Sequence, residues 1–201
     1  MPHPFSGRLN GASDVSAHAE WRVSVASSEI TRTIHQLLRR ELGAVRRSVG
    51  AYPNEKSLWV ERPGLPNTGG NLALHLAGNL QHYFGAVLGK TGYVRDRDLE
   101  FSRRGVPRSE LLAQIDAAAL AIDAGMQAVN SERLAASYPE QVGGRTISTQ
   151  DFLVHLLSHL AYHLGQIDYH RRVVTGDSRS IGAIAVQELA TPSASEVGPA
   201  R

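Results

Sequence analysis

The chain contains no cysteine. That excludes disulfides, thiolate metal sites and a cysteine nucleophile, and it suits a reducing compartment. An excess of one charge is missing too, with 21 Lys and Arg against 19 Asp and Glu, a net charge of +2 with histidines neutral. The arginine pairs Arg39-Arg40, Arg46-Arg47, Arg103-Arg104 and Arg171-Arg172 are scattered, and no aromatic ladder runs between them. Such spacing marks solvated helix faces and argues against a nucleic-acid partner. No apolar run approaches the ~20 residues of a membrane span. The opening stretch MPHPFSGRLNGASDVSAHAEW has no apolar core of a secretion signal. A cytoplasmic protein with no membrane partner is therefore expected.

Residues 1–24 and 176–201 are rich in Gly, Ser, Pro and Ala and read as disordered tails, leaving 25–175 as one domain. Within it the apolar residues repeat at helical steps. Ile30, Ile34, Leu37, Leu38, Leu42, Val45 and Val49 line one face of a helix from about Ser27 to Gly50. A second, from about Gly70 to Leu88, carries Leu72, Leu76, Leu80, Tyr83 and Val87, with His75 and Asn79 one turn apart at the border of that stripe. Pro107 opens a third, reaching about Ser131, whose seam of Leu112, Ile115, Ala119, Ile122, Met126 and Val129 is wholly apolar. Gly143-Gly144 suggests a small hairpin. Ser148 and Asp151 form a capping box for a fourth helix that runs to about Val174. No other strand pattern is present, so the expected class is all-α, a four-helix bundle.

Nine histidines are unevenly placed, and four fall in HLLSHLAYHLGQIDYH (155–170). His3, His18, His35 and His82 read as surface residues, and His170, among Asp168, Arg171 and Arg172, as lying near the bundle end. His155, His159 and His163 form a slowly turning row beside the apolar centre of the fourth helix, with Gln166 in the same row. Two histidines four residues apart, about 6 Å along the axis, can converge on one ion with bonds of ~2.0–2.1 Å. The outer two of the row, about 12 Å apart, are too far from each other to share it. A third ligand must come from elsewhere, and His75 is the natural candidate. Asn79, Tyr162 and Gln166 are near enough on helix geometry to orient a ligand or touch a substrate. No Asp or Glu is placed as a general base. RDRDLE (95–100) is charge-balanced and reads as a structural turn, although Arg95 and Arg97 would suit an anionic cosubstrate. The contrary reading is that the imidazoles hydrogen-bond one another inside the bundle, which then takes an apolar ligand or none.

NLALHLAGNL (71–80) and HLLSHLAYHLGQI (155–167) resemble the two signature regions of the DinB-like superfamily of four-helix metalloproteins. HLAGN followed by RDRDLEF (95–101) is similar to a branch known only as a domain of unknown function. The resemblance covers roughly residues 27–175. It implies an up-down-down-up bundle, often a homodimer, with a metal held by one histidine of the second helix and an i, i+4 pair of the fourth. These map to His75, His159 and His163, since His163 directly precedes Leu-Gly-Gln. Leu164 stands where many relatives have arginine, which alters the pocket mouth and no ligand. Three imidazoles with vacant positions suit Zn, Ni, Fe or Mn. The function implied is a divalent-metal-dependent enzyme acting on a small molecule, an S-transferase or isomerase using a low-molecular-weight thiol, or a hydrolase. The alternative is a non-catalytic, metal-binding or stress-related dimeric bundle.

Overall fold

The computed structural model describes residues 12–189, with side chains from Glu29 onward. Among these residues the chain forms six α-helices: α1 (Ala12–Gly50), α2 (Gly69–Leu80), α3 (Arg97–Ser102), α4 (Arg108–Gln127), α5 (Ser131–Ala135) and α6 (Thr149–Thr175). No strand is present among them, so the all-α expectation holds. α1 and α2 each pack against both α4 and α6, and α3 lies across α2. No helix among the described residues is long and apolar enough to cross a membrane.

α1 buries Ile34, Leu38, Leu42, Val45 and Val49, as their spacing predicts, and Leu37 only in part, while Ile30 of the same stripe is exposed. It begins earlier than the apolar stripe does, because residues 12–26 contain no proline or glycine to stop a helix. Residues 1–11 and 190–201 of the two expected tails lie outside the described residues.

α2 is buried along its whole length, from Gly69 to Leu80, not on one stripe. Five elements surround it, since α4, α6, α3, α1 and the 3-10 turn Lys56–Trp59 all pack on it. Thr68 caps its start, accepting from Asn71 N–H. Past Leu80 the helix widens into a π-helical stretch, Gln81–Leu88, where Gly125 of α4 abuts the Phe84 backbone. In α4 the buried line is Leu111, Ile115, Ala118, Ile122, Gly125 and Met126. Leu112 and Ala119, expected in the seam, are only partly buried. The helix ends at Gln127, before the predicted Ser131, which instead opens α5 behind an Asn130 cap.

Gly143 and Gly144 both take positive φ, and Val142 and Arg145 exchange backbone hydrogen bonds of 3.0 and 3.1 Å across them. The expected hairpin is thus a two-residue turn with isolated bridges and no extended strand. Ser148 then caps α6, accepting from Asp151 N–H at 3.1 Å.

Residues 177–182 are held against the bundle by three arginines. Arg171, 1% exposed, donates to Asp177 O and Arg179 O as well as to Asp168. Arg172 donates to Ser178 O, and Arg47 to Ile181 O and Gly182 O. A polar composition suggested a free tail, but its backbone carbonyls are what these guanidinium groups bind.

Candidate metal centre

His75 projects from α2, and His159 and His163 project from successive turns of α6. His159 Nε2 lies 3.2 Å from His75 Nε2 and 3.1 Å from His163 Nε2. One ligand-type atom from each of the three rings falls within a common span of 4.8 Å. Four ligands bonded to an ion at ~2.0–2.1 Å in a tetrahedron stand about 3.3 Å apart, close to these separations. The rings meet edge to face, His159 on His163 at 85° and His75 on His163 at 89°. Three nitrogens thus converge on one point without the rings stacking, a donor set suited to a borderline divalent ion.

The electrostatics favour neutral imidazoles. Burial pushes His159 down to about 3, with the neighbouring His163 and His75 adding to the effect. Burial also lowers His163, although its bond to Gln166 works the other way. Neutral rings keep the lone pairs a metal needs.

Gln166 accepts a hydrogen bond from His163 Nδ1 at 2.6 Å and so orients that ring. Asn79 is 7% exposed, one turn beyond His75, and its Oδ1 is buried without a hydrogen-bond partner among the described residues. Tyr162 is 65% exposed, with its ring against His163 at 5.2 Å between centroids, so it lies at the outer face of α6 and not inside the cluster. His155 is exposed and stacks between Phe152 and His159, at 5.8 and 6.2 Å. His170 belongs elsewhere. It is 2% exposed, with Nε2 on Val60 O and Nδ1 on the Tyr52 hydroxyl, both at 2.8 Å, and so forms a buried joint. His82 and His35 are half-buried and pair with Glu140 and Asp123.

Sequence reasoning missed Glu100. Its Oε2 lies 2.9 Å from His75 Nδ1, and the residue is 6% exposed. Arg95 grips the same carboxylate through Nε at 2.7 Å and Nη2 at 2.8 Å. Burial acts to raise Glu100, but the bonds from Arg95 and His75 outweigh it, and the carboxyl sits below its usual range. Expected as a structural turn, the RDRDLE stretch instead enters α3 at Arg97 with Asp96 as its cap, and it also delivers a carboxylate to the histidine cluster. Arg95 is engaged by Glu100, not left free for an anion. The only signal in the sequence was a Glu after two Arg-Asp pairs, and helix geometry gives no reach across the 25 residues between Glu100 and His75.

A groove of about 440 Å³ between α1 and α6 is lined by Leu37, Leu157, Ala161 and Tyr169, and contains none of the three histidines.

The model of the DinB superfamily matches residues 37–167, a span that holds all three histidines, Gln166 and Glu100. The chain belongs to the DinB superfamily. No curated protein and no solved structure matches it. In this DinB-superfamily chain the family span takes in all of α2, α3, α4 and α5 and most of α6, and so includes the elements that carry the cluster and its supports.

Proposed function

We propose that this chain is a divalent-metal-dependent enzyme in which His75, His159 and His163 hold the ion and leave at least one coordination position open. The observation that carries the reading is the convergence of three imidazole nitrogens, from two helices, at separations of 3.1 and 3.2 Å. Zn, Ni, Fe and Mn all suit such a set. A bound divalent ion supplies Lewis acidity, lowering the pKa of a thiol or water admitted to the open position. With no cysteine in the chain, a thiol nucleophile has to arrive as a cosubstrate. The proposed reaction class is thiol-dependent S-transfer or isomerisation on a small molecule. Asn79, whose Oδ1 has no partner among the described residues, is proposed as the group that accepts from an incoming donor. The proposed setting is an up-down-down-up bundle that pairs as a homodimer in the cytoplasm.

One observation favours a second, non-catalytic reading. Glu100, the carboxylate that touches the cluster, has both oxygens taken by Arg95 and His75 and is no free general base. A metal-holding dimeric bundle needs no such base.

The test uses protein purified without a chelating tag. Metal content, measured by elemental analysis, is expected to be stoichiometric in the wild type and lost in His163→Ala. Turnover of a thiol and electrophile panel by the loaded wild type, lost in His163→Ala, separates the enzyme from the metal-holding bundle. Stoichiometric metal retained by His163→Ala overturns the ligand assignment.

A further inference from the structure

Of the three rings, His75 alone comes from a different helix. His163 has Gln166 one turn on to hold it. For His75 that support arrives from α3. The Glu100 carboxylate can only accept, so the 2.9 Å bond requires the proton on His75 Nδ1 and leaves the Nε2 lone pair facing His159. Arg95 Nη2 also lies 3.4 Å from His75 Nδ1, but both are donors aimed at the same carboxylate.

Several features serve to bring Glu100 to this place. Asn71 Nδ2 donates to the backbone oxygens of Glu100 and Arg103, at 3.0 and 3.1 Å, and so fastens α3 to α2. Phe101 lays its ring against His75 at 4.8 Å. Gly78, one turn from His75, decides the approach. A Cβ there would stand 2.9 Å from Glu100 Cδ and closer still to Oε1. Glycine inside a helix costs about 1 kcal/mol against alanine, yet Gly78 lies in mid-helix among wholly buried neighbours. What its missing side chain permits is the seat of that carboxylate.

We propose that Glu100, seated by Gly78 and gripped by Arg95, is the positioning residue that holds His75 in its Nδ1–H tautomer and aims Nε2 at the ion. The proposal rests on the three-histidine reading for its metal consequence, and not for the tautomer itself. A merely structural role, in which the Arg95–Glu100 pair only staples the loop to α2, would change stability and leave the tautomer alone.

Two measurements test it, on wild type, Glu100→Gln, Glu100→Ala and Gly78→Ala, each checked for helicity by circular dichroism. The first is the tautomer of His75 in the metal-free protein, from side-chain nitrogen-15 shifts. The second is the Kd for Zn²⁺ by competition with a chromophoric chelator. His75 is expected as Nδ1–H in the wild type and in Glu100→Gln, which keeps a carbonyl acceptor. In Glu100→Ala and Gly78→Ala it is expected to shift toward Nε2–H, with Kd about 10–100-fold weaker. Glu100→Gln is expected to recover most of that loss. An unchanged Nδ1–H form in Glu100→Ala overturns the proposal, as does a Kd within about threefold of wild type, well short of the usual effect of losing such a partner. If the wild type binds no Zn²⁺, the metal reading falls, and the tautomer still decides whether Glu100 positions His75. Should Gly78→Ala fail to fold, the two Glu100 variants carry the test.

Discussion

His159 occupies the middle of the cluster, within 3.2 Å of both other rings, so its removal separates metal linkage from folding. In the metal-free protein its Nδ1 is buried with no hydrogen-bond partner among the described residues. An unsatisfied buried group of this kind costs about 1–3 kcal/mol. Truncating a half-buried imidazole to alanine loses packing of similar size, so metal-free His159→Ala should unfold within about 1 kcal/mol of wild type, as most substitutions outside a packed core do. The metal-bound comparison should differ sharply. A free ion at 100 times its Kd stabilises the native state by about 2.7 kcal/mol, if the unfolded chain does not bind it. For a chain of this size each kcal/mol moves Tm by about 2–4 °C, giving a rise of about 5–11 °C. Thermal unfolding followed by circular dichroism, with and without Zn²⁺, Ni²⁺ or Mn²⁺, measures both effects. The expected outcome is a saturable rise in wild type and none in His159→Ala. A rise of equal size in the variant would refute the convergence of the three rings on one ion.

Further predictions concern the supports of the fold. Arg171→Met leaves Asp168 with Arg172 as its remaining partner and frees the backbone carbonyls of residues 177 and 179. It should cost about 1–3 kcal/mol in urea unfolding and open the chain to proteolysis after Gly176; unchanged protection would count against the arginine clasp. Gly125→Ala places a Cβ 2.5 Å from Phe84 O, in backbone that cannot swing aside. A loss of about 1–3 kcal/mol is expected from this overpacking, and a stabilised variant would show that α4 does not press on the π-helical turn. Burial lowers His159, His163 and His170 from 6.5 in the folded protein. The unfolded chain therefore takes up protons first, so metal-free stability should be full above pH 6.5 and fall as the pH drops below it. Between pH 7 and 5 the urea midpoint should decline, a range that lies above the usual carboxylate values; a flat midpoint would contradict neutral buried imidazoles.

The sequence carried most of the cluster because helical periodicity is local. His159 and His163 must share a face of any helix that contains both, and an apolar helix around them places that face near the core. The same rule put Gln166 beside His163, where it makes its bond. It misled for Tyr162, which is one residue from His163 but 100° around the helix, and stands exposed. Glu100 was beyond it altogether. Its partner lies in another element, and the route between them passes through the π-helical stretch and an irregular turn. α2 taught a similar lesson, since a helix walled by five neighbours is buried on faces that its own pattern cannot announce.

The amino-acid order by itself determined the mainly helical class of the described residues, the absence of any thiol chemistry from its own side chains, and the pairing of two histidines on one helix turn. These follow from local rules, the 3.6-residue repeat and the composition. The tertiary structure alone decided that His75 meets that pair, that α3 brings a buried carboxylate to its far nitrogen, and that residues 177–182 clasp the bundle. Each of these depends on contacts between segments tens of residues apart, and such contacts are set by packing, not by the neighbours along the chain.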